Sequence, residues 1–283
     1  MGEALLDRLS KILEKSTMLM VSEMVMLSCG LAFIVLAAGL GKRMKSDKAK
    51  VLHELLGKPM VHYVVETATE FAGSNVYVVV GYQSEIVQSS LEKKYDVQYV
   101  FQKNQMGTGH AVSCVLPYLD VQIRHVVILC GDTPLISLST IELLISTHFI
   151  SKNDLTVLAV KMENPTGYGR VLLSEDQQVE GIVEETDATE CQRNIKIINS
   201  GIYCVEKQFL VDAIGILTTH NAQQEMYLTD IVGNGYRMNK KIAAVIGLDT
   251  LEMIGINSQQ DLITAEGEMR LRLSKNLDFR NSP

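Results

Sequence analysis

Short apolar runs recur along the chain from residue 32 onward, and each run is followed by a turn and then by a segment of helical length. Apolar stretches that are rich in β-branched residues and bounded by glycine are typical of buried strands. Five such strands are predicted, at residues 32–36, 76–80, 97–101, 126–129 and 155–160. Strands that are apolar on both faces need helices above and below them, as in a parallel sheet. The pattern therefore predicts an α/β fold with three layers and a mainly parallel sheet.

The pattern changes after residue 165, where the predicted strands at 170–173, 181–184 and 198–205 are shorter and more polar. We expect these strands to form antiparallel hairpins over one end of the sheet, where a substrate lid would lie. Helical spacing of apolar residues predicts one helix at 258–273, and the tail at 276–283 is expected to be frayed.

The residues before the first predicted strand allow two interpretations. The apolar run at 18–39 follows basic residues and contains Cys29, as a signal peptide or lipoprotein anchor would. Glu23 interrupts the run, however, and its last part leads directly into a glycine-rich loop, which favours an extension followed by a buried strand. Apolar residues at helical spacing also predict a short amphipathic helix at 4–15, and several methionines leave room for a start after Met1.

Length and composition exclude several classes of protein. The 283 residues, 47% of them hydrophobic, are enough for one large α/β core or two modest ones. A formal net charge of −7 without a Lys/Arg-rich block argues against a nucleic-acid polymer as partner. The five cysteines are scattered and form no C-x-x-C pair, so we expect reduced thiols in a cytoplasmic protein without stable membrane insertion.

The first segment that carries chemistry is the sequence LAAGLGKRM, which starts at Leu36 at the end of the first predicted strand. Its glycines let the backbone curl around a phosphate with the N–H groups pointing inward. Arg43 and Lys50 add fixed positive charge that suits a triphosphate. The glycine spacing matches neither the dinucleotide-binding fingerprint nor the P-loop motif, which argues against both of those folds.

A second signal is Asp132 in the sequence CGDTPL, directly after another predicted strand. Open α/β sheets bind their ligands at the carboxyl ends of the strands, and a carboxylate in that place suits Mg²⁺. An aspartate that caps the next turn is the alternative. The glycine loop upstream favours the metal.

Gln102 and the sequence QMGTGHA at 105–111 indicate a pocket for a nucleobase. The glycines on both sides of Thr108 allow close approach to a flat ring, and the amide of Gln102 can both donate and accept hydrogen bonds. Uracil is one base that fits, and these residues alone leave the base open. His110 is interpreted as a helix-start or packing residue, since no Ser or Cys nucleophile pattern accompanies it.

Three further segments, PTGYGR, IVEE and INSGI, place glycine, carboxylate or carboxamide groups at predicted strand ends after residue 165. Each segment alone is more typical of a turn or of a charged surface. Together they suggest a pocket that recognises sugar hydroxyls.

These segments together resemble the uridyltransferase domain of the bacterial bifunctional N-acetylglucosamine-1-phosphate uridyltransferase/glucosamine-1-phosphate acetyltransferase family. The resemblance runs from about Phe33 to about Leu273 and rests on motifs in the family's order: L-A-A-G-x-G-x-R-M, K-V-L-H, Q-x-G-T-G-H-A, G-D-x-P-L, N-P-T-G-Y-G-R, I-V-E-x-x-D-A, I-N-x-G-I, Y-L-T-D and G-I-N. Only the combination is highly specific. The resemblance implies a Rossmann-like three-layer nucleotide-diphospho-sugar transferase fold with a mixed, mainly parallel sheet and an antiparallel sugar-binding lid region.

The resemblance also implies roles for individual residues. The nucleotide would be bound by Leu36, Ala37, Ala38, Gly39, Lys50, Gln102, Gly107, Thr108, Gly131 and Asp132. The sugar would be bound by Gly169, Glu184, Asn199, Tyr227 and Thr229. The implied cofactor Mg²⁺ would be bound by Asp132 and Asn257, and the implied catalytic residues are Arg43, Lys50 and Asp132.

The implied reaction transfers uridylyl from UTP to N-acetyl-α-D-glucosamine 1-phosphate, which gives pyrophosphate and UDP-N-acetylglucosamine, a precursor of peptidoglycan and lipopolysaccharide. A related enzyme with another sugar or NTP, and a non-catalytic UDP-sugar-binding subunit, are the alternatives. The hexapeptide repeats of the family's acetyltransferase domain do not occur in these 283 residues, so we expect the uridyltransferase half alone. That expectation is compatible with a separate acetyltransferase partner and with oligomerisation. We divide the chain into an N-terminal extension (1–31), a nucleotidyltransferase domain (32–257) and a C-terminal linker-like helix and tail (258–283).

Overall fold

The structure is a computed structural model that describes residues 30–280. The helix predicted at 4–15 and the apolar run before residue 30 lie outside the described residues. The strands are β1 (Leu31–Ala37), β2 (Glu54–Leu55), β3 (Lys58–Pro59), β4 (Val76–Val80), β5 (Gln98–Phe101), β6 (His125–Cys130), β7 (Leu155–Lys161), β8 (Arg170–Leu173), β9 (Val179–Val183), β10 (Ile197–Glu206) and β11 (Ile242–Gly247). The α-helices are α1 (Met60–Ala72), α2 (Ser84–Leu91), α3 (Thr108–Val115), α4 (Leu138–Ile150), α5 (Glu190–Arg193), α6 (Lys207–Gly215), α7 (Asp230–Arg237) and α8 (Gln259–Arg280).

Nine strands form one sheet whose main path runs β11-β7-β10-β6-β1-β4-β5, and the hairpin of β8 and β9 is attached to β10. The neighbouring strands β6, β1, β4 and β5 are parallel, as are β7 and β11. Strand β10 runs antiparallel to both of its neighbours. The predicted mixed, mainly parallel sheet is therefore confirmed, and the five strands predicted before residue 165 begin and end within one residue of their predicted bounds.

The prediction that residues 198–205 belong to a lid over the sheet is wrong for most of this segment. Strand β10 has ten residues, is buried along most of its length and is inserted between β6 and β7. Only its first residues, before the register shift between Asn199 and Ile202, reach the hairpin. An apolar run records that both faces of a strand are covered but not the direction of the strand, so the sequence pattern could not place β10. The edge strand β11, half-buried along most of its length, was not predicted at all.

The side chains of β1 alternate between two buried clusters on opposite faces of the sheet. Phe33 and Val35 pack in the cluster that includes α1, α2 and α4, whereas Ile34 packs in the cluster that includes α3, α6 and α7. Successive strand residues point to opposite faces, so a strand that is covered on both must be apolar at every position. This explains the uninterrupted run LAFIVLA and confirms the three-layer arrangement.

Helix α8 continues past the predicted end at residue 273 to Arg280, through part of the tail that was expected to be frayed. Residues 274–280 contain neither glycine nor proline, so the sequence offers no signal that would stop the helix there. Ala265 of this helix forms a third apolar cluster with Leu55, Met60, Leu135 and Ile256. The helix is therefore packed against the sheet domain near the loop that follows β6.

Two histidines are in contact beside the start of β6: His125, which is half-buried, and His148 of α4, which is buried. His125 Nδ1 is 3.1 Å from His148 Nε2, and His148 Nδ1 is 3.0 Å from Thr156 Oγ1. Burial lowers the pKa of both imidazoles, and for His148, with the His125 ring next to it, the pKa falls to about 4. Asp154 near His148 and Glu206 near His125 oppose the shift without cancelling it. The folded pair therefore resists protonation as the pH is lowered.

We expect acid to destabilise the fold through His148. Below pH 6.5 the unfolded chain binds a proton that the folded imidazole excludes down to about pH 4, so the free energy of unfolding falls as the pH is lowered through this window. The full shift corresponds to roughly 3 kcal/mol. A His148→Gln variant should show a flatter dependence of the urea unfolding midpoint on pH.

The matched control for this experiment is His220→Gln, because His220 is exposed and its substitution should leave the wild-type slope unchanged. A His148→Gln variant that retains the wild-type slope between pH 7 and pH 5 would contradict the prediction.

Candidate active site

The candidate site lies where β1 and β6 end side by side. Leu36 is paired with Cys130 in the parallel register, and the Gly131 N–H donates to Leu36 O over 2.9 Å. A Cβ atom on Gly131 would lie 3.0 Å from that carbonyl oxygen, so glycine permits the close approach. Asp132 is thereby brought next to the loop that leaves β1. The predicted nucleotide-binding segments at 36–39 and 131–132 are therefore neighbours.

Four predicted residues converge at this edge of the sheet. The ammonium of Lys50 forms an ion pair with the carboxylate of Asp132 and donates to Asn257 Oδ1 over 2.6 Å. Arg43 Nη2 donates to the same Asn257 oxygen over 2.7 Å. A Cβ on Gly255 would lie 3.1 Å from Asp132 Oδ2, so the loop just before Asn257 packs directly on the carboxylate of Asp132. Asp132 and Asn257, which are far apart in the sequence, thus both contact the ammonium of Lys50.

The donor set of Asp132 and Asn257 fits a divalent cation. Their oxygens already contact one positively charged nitrogen, Lys50 Nζ, which shows that both can be directed at a single cation. Carboxylate and carboxamide oxygens are the hard ligands that such ions prefer. Within residues 30–280 no cluster of three His, Cys, Asp or Glu side chains could hold a metal. A cation at this place would therefore take its remaining ligands from phosphate oxygens and water.

The position of Lys50 depends on residues that the sequence motifs did not indicate. The Ala49 N–H donates to Gln83 Oε1 over 2.8 Å, and Gln83 Nε2 donates to Asp47 O over 2.9 Å. The hydroxyl of Tyr82 donates to the same carbonyl over 2.9 Å. Tyr82 and Gln83 thus hold the backbone just before Lys50. No motif surrounds them, and their role follows only from the loop after β4 lying beside the loop after β1.

The predicted base-binding residues follow β5 and begin α3. Gln102 is 3% exposed, and its backbone N–H donates to Val80 O over 2.8 Å. Thr108 Oγ1 accepts from the Leu228 N–H over 3.1 Å. Cβ atoms on Gly107 or Gly109 would come within 3.0 Å of the backbone at Met226. The two glycines therefore have a packing role against residues 226–228, for which the sequence motif gives no signal.

Four of the five predicted sugar-binding residues meet in one place. A Cβ on Gly169 would lie 3.3 Å from Glu184 Oε2 and 3.6 Å from the Cβ of Asn199. Thr229 Oγ1 donates to Glu184 Oε1 over 3.0 Å. The hydroxyl of the fifth residue, Tyr227, is instead 3.3 Å from Asp187 Oδ2. Burial raises the pKa of Glu184, and the hydrogen bond from Thr229 opposes that shift.

An ion pair between Arg170 and Glu185 lies next to these predicted sugar-binding residues. Arg170 is 1% exposed, and its Nη1 lies 2.6 Å from Glu185 Oε2. The same carboxylate oxygen accepts from the Gly167 N–H over 3.2 Å. Arg170 and Glu185 are the chain neighbours of Gly169 and Glu184, so the ion pair fixes two predicted sugar contacts relative to one another. Both residues lie in the predicted segments PTGYGR and IVEE, but neither was given a role of its own.

The C-terminal helix also reaches the site. Arg272 Nη1 donates to Leu135 O over 3.0 Å, and Arg272 Nη2 pairs with Asp249 Oδ2 over 2.7 Å. Arg272 Nε pairs with Glu268 on the same helix over 3.0 Å. Leu135 lies in the loop that carries Asp132. Helix α8 therefore contacts that loop through a charged side chain as well as through its apolar face.

Arg43, Lys50, Asp132 and Asn257 are called the cation cluster below. A cavity of about 460 Å³ opens beside this cluster. It is lined by Arg43 and Asn257, by loop residues from 162 to 168, and by residues from 251 to 265. The predicted contacts to the base and the sugar do not line it. The cavity therefore touches the cation cluster but is not the pocket that the other predicted residues form.

The site has the features of a nucleotidyltransferase. It combines a glycine-rich loop suited to binding phosphate, two cationic side chains near an aspartate, and a polar pocket at the carboxyl edge of an α/β sheet. The family of MobA-like NTP transferase domains matches residues 33–193, and the chain belongs to this family. The predicted enzyme class is thereby confirmed. Nucleotidyltransferases of this kind generally use a divalent metal.

Curated relatives of the chain include two proteins that are each named bifunctional protein GlmU. The chain is 45% identical over 247 residues to the protein of Geotalea uraniireducens, which covers 87% of this chain and 54% of the relative. It is 46% identical over 245 residues to the protein of Caldanaerobacter subterraneus subsp. tengcongensis, which covers 87% of this chain and 53% of the relative. The chain thus spans about half the length of these relatives.

A solved structure from Bacillus anthracis, provisionally assigned as a glucose-1-phosphate thymidylyltransferase in complex with a sucrose, superposes with a TM-score of 0.65. The two chains are 17% identical, and the match covers 85% of this chain and 95% of the other. A likeness at this identity concerns the fold alone, and it confirms the predicted nucleotide-diphospho-sugar transferase fold. Over the described residues, no helix has the length and apolar character needed to cross a membrane.

Gly41 provides a test of the cation cluster. Its φ is +71°, and a Cβ atom would lie 2.5 Å from Lys50 Cβ, so Gly41→Ala should push Lys50 away from Asp132 and Asn257. We expect kcat for sugar-phosphate-dependent release of pyrophosphate from an NTP to fall on the order of 100-fold, as displaced catalytic groups do.

Gly57→Ala is the matched control, because Gly57 has a similar φ of +77° but open space where the Cβ would be. Both variants should lose about 1 kcal/mol of stability in urea unfolding from backbone strain. Equal activity in the two variants would show that the contact with Lys50 does not matter.

Proposed function

We propose that this chain transfers uridylyl from UTP to N-acetyl-α-D-glucosamine 1-phosphate, giving UDP-N-acetylglucosamine and pyrophosphate. The observation that carries the proposal is the convergence of Arg43, Lys50, Asp132 and Asn257 at the edge of the sheet where β1 and β6 end. This arrangement suits phosphoryl chemistry, and the family supplies the class of reaction. The relatives named GlmU support uridine and N-acetylglucosamine as the two substrate components.

The proposed contacts divide into three groups. The phosphates and base of UTP are bound by Leu36, Ala37, Ala38, Gly39, Lys50, Gln102, Gly107, Thr108, Gly131 and Asp132. The N-acetylglucosamine moiety is bound by Gly169, Glu184, Asn199, Tyr227 and Thr229. Asp132 and Asn257 hold Mg²⁺, which when bound neutralises charge on the phosphates.

The reaction needs positioning and charge neutralisation rather than covalent catalysis. An oxygen of the sugar phosphate forms a bond to the α-phosphorus of UTP in line with the leaving group, and the bond from that phosphorus to the β-phosphate oxygen breaks. Arg43 and Lys50 stabilise the negative charge of the departing pyrophosphate. No general base is required, since the attacking phosphate is already ionised at pH 7. In the structure the Lys50 ammonium neutralises Asp132, and a triphosphate offers it another anionic partner.

The geometry around Asn199 supports its role in sugar recognition. Asn199 Oδ1 accepts from the Gly201 N–H over 3.1 Å and from the Tyr203 hydroxyl over 3.0 Å. The carboxamide is thereby oriented with its NH₂ group left to donate to an acceptor on the sugar. Glu184 supplies the complementary acceptor, with Thr229 holding one of its oxygens. One donor and one acceptor together suit a sugar that carries both hydroxyl and acetamido groups.

The remaining parts of the proposal rest on the sequence. We place the catalytic unit in residues 32–257, with the helix that begins at Gln259 as a packed support. The scattered cysteines favour the cytoplasm, and a separate acetyltransferase partner and oligomerisation stay predictions. The rival functions are a pyrophosphorylase for another sugar or NTP and a UDP-sugar-binding subunit without activity.

A substrate panel tests the proposed function directly. The purified chain is incubated with each of four NTPs and with the 1-phosphates of N-acetylglucosamine, glucosamine and glucose, and pyrophosphate release is followed with and without Mg²⁺. We expect the highest kcat/KM for UTP with N-acetylglucosamine 1-phosphate, and loss of activity without the metal. A preference for another pair would establish the rival pyrophosphorylase, and UDP-sugar binding without turnover would establish the subunit.

Substitution of Asp132 by Asn tests the metal assignment. The variant keeps the size of the side chain but removes the negative charge, so kcat should fall by a factor on the order of 100 or more and the Mg²⁺ concentration for half-maximal rate should rise. Asp212→Asn is the control, because Asp212 is exposed and accepts only from Gln208 among the residues described. Near-normal turnover of Asp132→Asn with unchanged Mg²⁺ dependence would sink the assignment.

A further inference from the structure

The carboxamide of Gln102 is held in one orientation by two acceptors. Gln102 Nε2 lies 3.1 Å from Gly107 O and 2.9 Å from His110 Nδ1. A backbone carbonyl can only accept, so the atom of Gln102 that faces it must be the NH₂ nitrogen. The second N–H of that group then points to the imidazole, and both donors of the amide are used within the protein.

This bond also determines the tautomer of His110. If Nδ1 accepts from Gln102, the ring proton of the neutral imidazole lies on Nε2, because the bond made by one ring nitrogen decides the state of the other. His110 Nε2 in turn lies 3.9 Å from Cys114 Sγ, which can accept weakly. Gln102, His110 and Cys114 therefore form a chain of contacts in which each donor has an acceptor.

The other end of the amide is left for a ligand. No donor among the described residues reaches Gln102 Oε1, although the residue is only 3% exposed. Gln102 Oε1 is nevertheless not completely buried, so solvent can still reach it. Gln102 thus offers an acceptor, and not a donor, on the open side of the site.

We propose that His110 is a specificity-determining positioning residue, which selects bases with an N–H at position 3 by fixing Gln102 with its carbonyl oxygen towards the base. The inference rests on the proposed function in that it takes Gln102 to face the base of the nucleotide. Uracil carries a hydrogen on N3 and can donate to Oε1. Cytosine carries a lone pair on N3, which would face the lone pairs of Oε1 and leave both acceptors unsatisfied. Selection of UTP over CTP is the expected result.

The test compares kcat/KM for UTP and for CTP in His110→Phe and His110→Gln. Phenylalanine fills similar space but cannot accept, so of the two acceptors only Gly107 O is left to hold the amide, which can then turn more easily. The UTP:CTP ratio should fall about tenfold, the effect of one lost hydrogen bond. Glutamine retains an acceptor and should restore part of the ratio. Cys114→Ala, which touches the other ring nitrogen, should leave the ratio unchanged. A purely structural role would lower both kcat/KM values equally, and an unchanged ratio in His110→Phe would overturn the inference.

A second measurement keeps the test valid if the variants fold poorly. Nitrogen NMR of the wild-type chain labelled at histidine should find His110 Nδ1 without a proton and Nε2 with one at neutral pH. A proton on Nδ1 would overturn the inference. A wild-type chain that turns over neither UTP nor CTP would contradict the proposed function instead, and the tautomer would then decide the inference on its own.

Discussion

The ammonium of Lys50 joins two oxygens from distant parts of the chain, and the arrangement of the site depends on that contact. Asp132 follows β6, whereas Asn257 precedes the C-terminal helix, and both contact the same nitrogen. The approach is so close that side chains are excluded around it. A Cβ on Gly41 would strike Lys50, and one on Gly255 would press on Asp132. Glycine at these positions is required by space as much as by backbone conformation.

The same contact explains why the C-terminal helix belongs to the site. Asn257 N–H and Ser258 N–H both donate to Asp261 Oδ2, over 2.9 and 2.8 Å, so the start of α8 is tied to the residue that faces Lys50. About two turns before the helix ends at Arg280, Arg272 donates to Leu135 O in the Asp132 loop. A partly buried guanidinium with several acidic partners is costly to leave unpaired. Both sides of the cation cluster are therefore held by one helix.

The sequence predicted much of this architecture because the information was local. The run from Leu31 to Ala37 is apolar at every position, and that alone indicates a strand covered on both faces. The direction of β10 has no comparable signal in the sequence, so its place between β6 and β7 was not predicted. The pairing of Asp132 with Asn257 came from family resemblance, because no spacing argument spans so much chain. Arg170 and Glu185 lie in predicted segments, but their ion pair was not predicted, because a pairing between side chains that are distant in the sequence has no motif of its own.

Two amides in the site follow a single physical rule. The oxygen of Asn199 is saturated by Gly201 and Tyr203, whereas in Gln102 the NH₂ group is saturated. Among residues 30–280, the NH₂ group of Asn199 and the oxygen of Gln102 are therefore left without a hydrogen-bond partner. A free amide could rotate and accept either kind of partner, so it would discriminate weakly. Saturating one end removes that choice and makes a mismatch cost an unsatisfied buried group. Under the proposed function, selectivity for base and sugar therefore depends as much on the residues that hold each amide as on the amide itself.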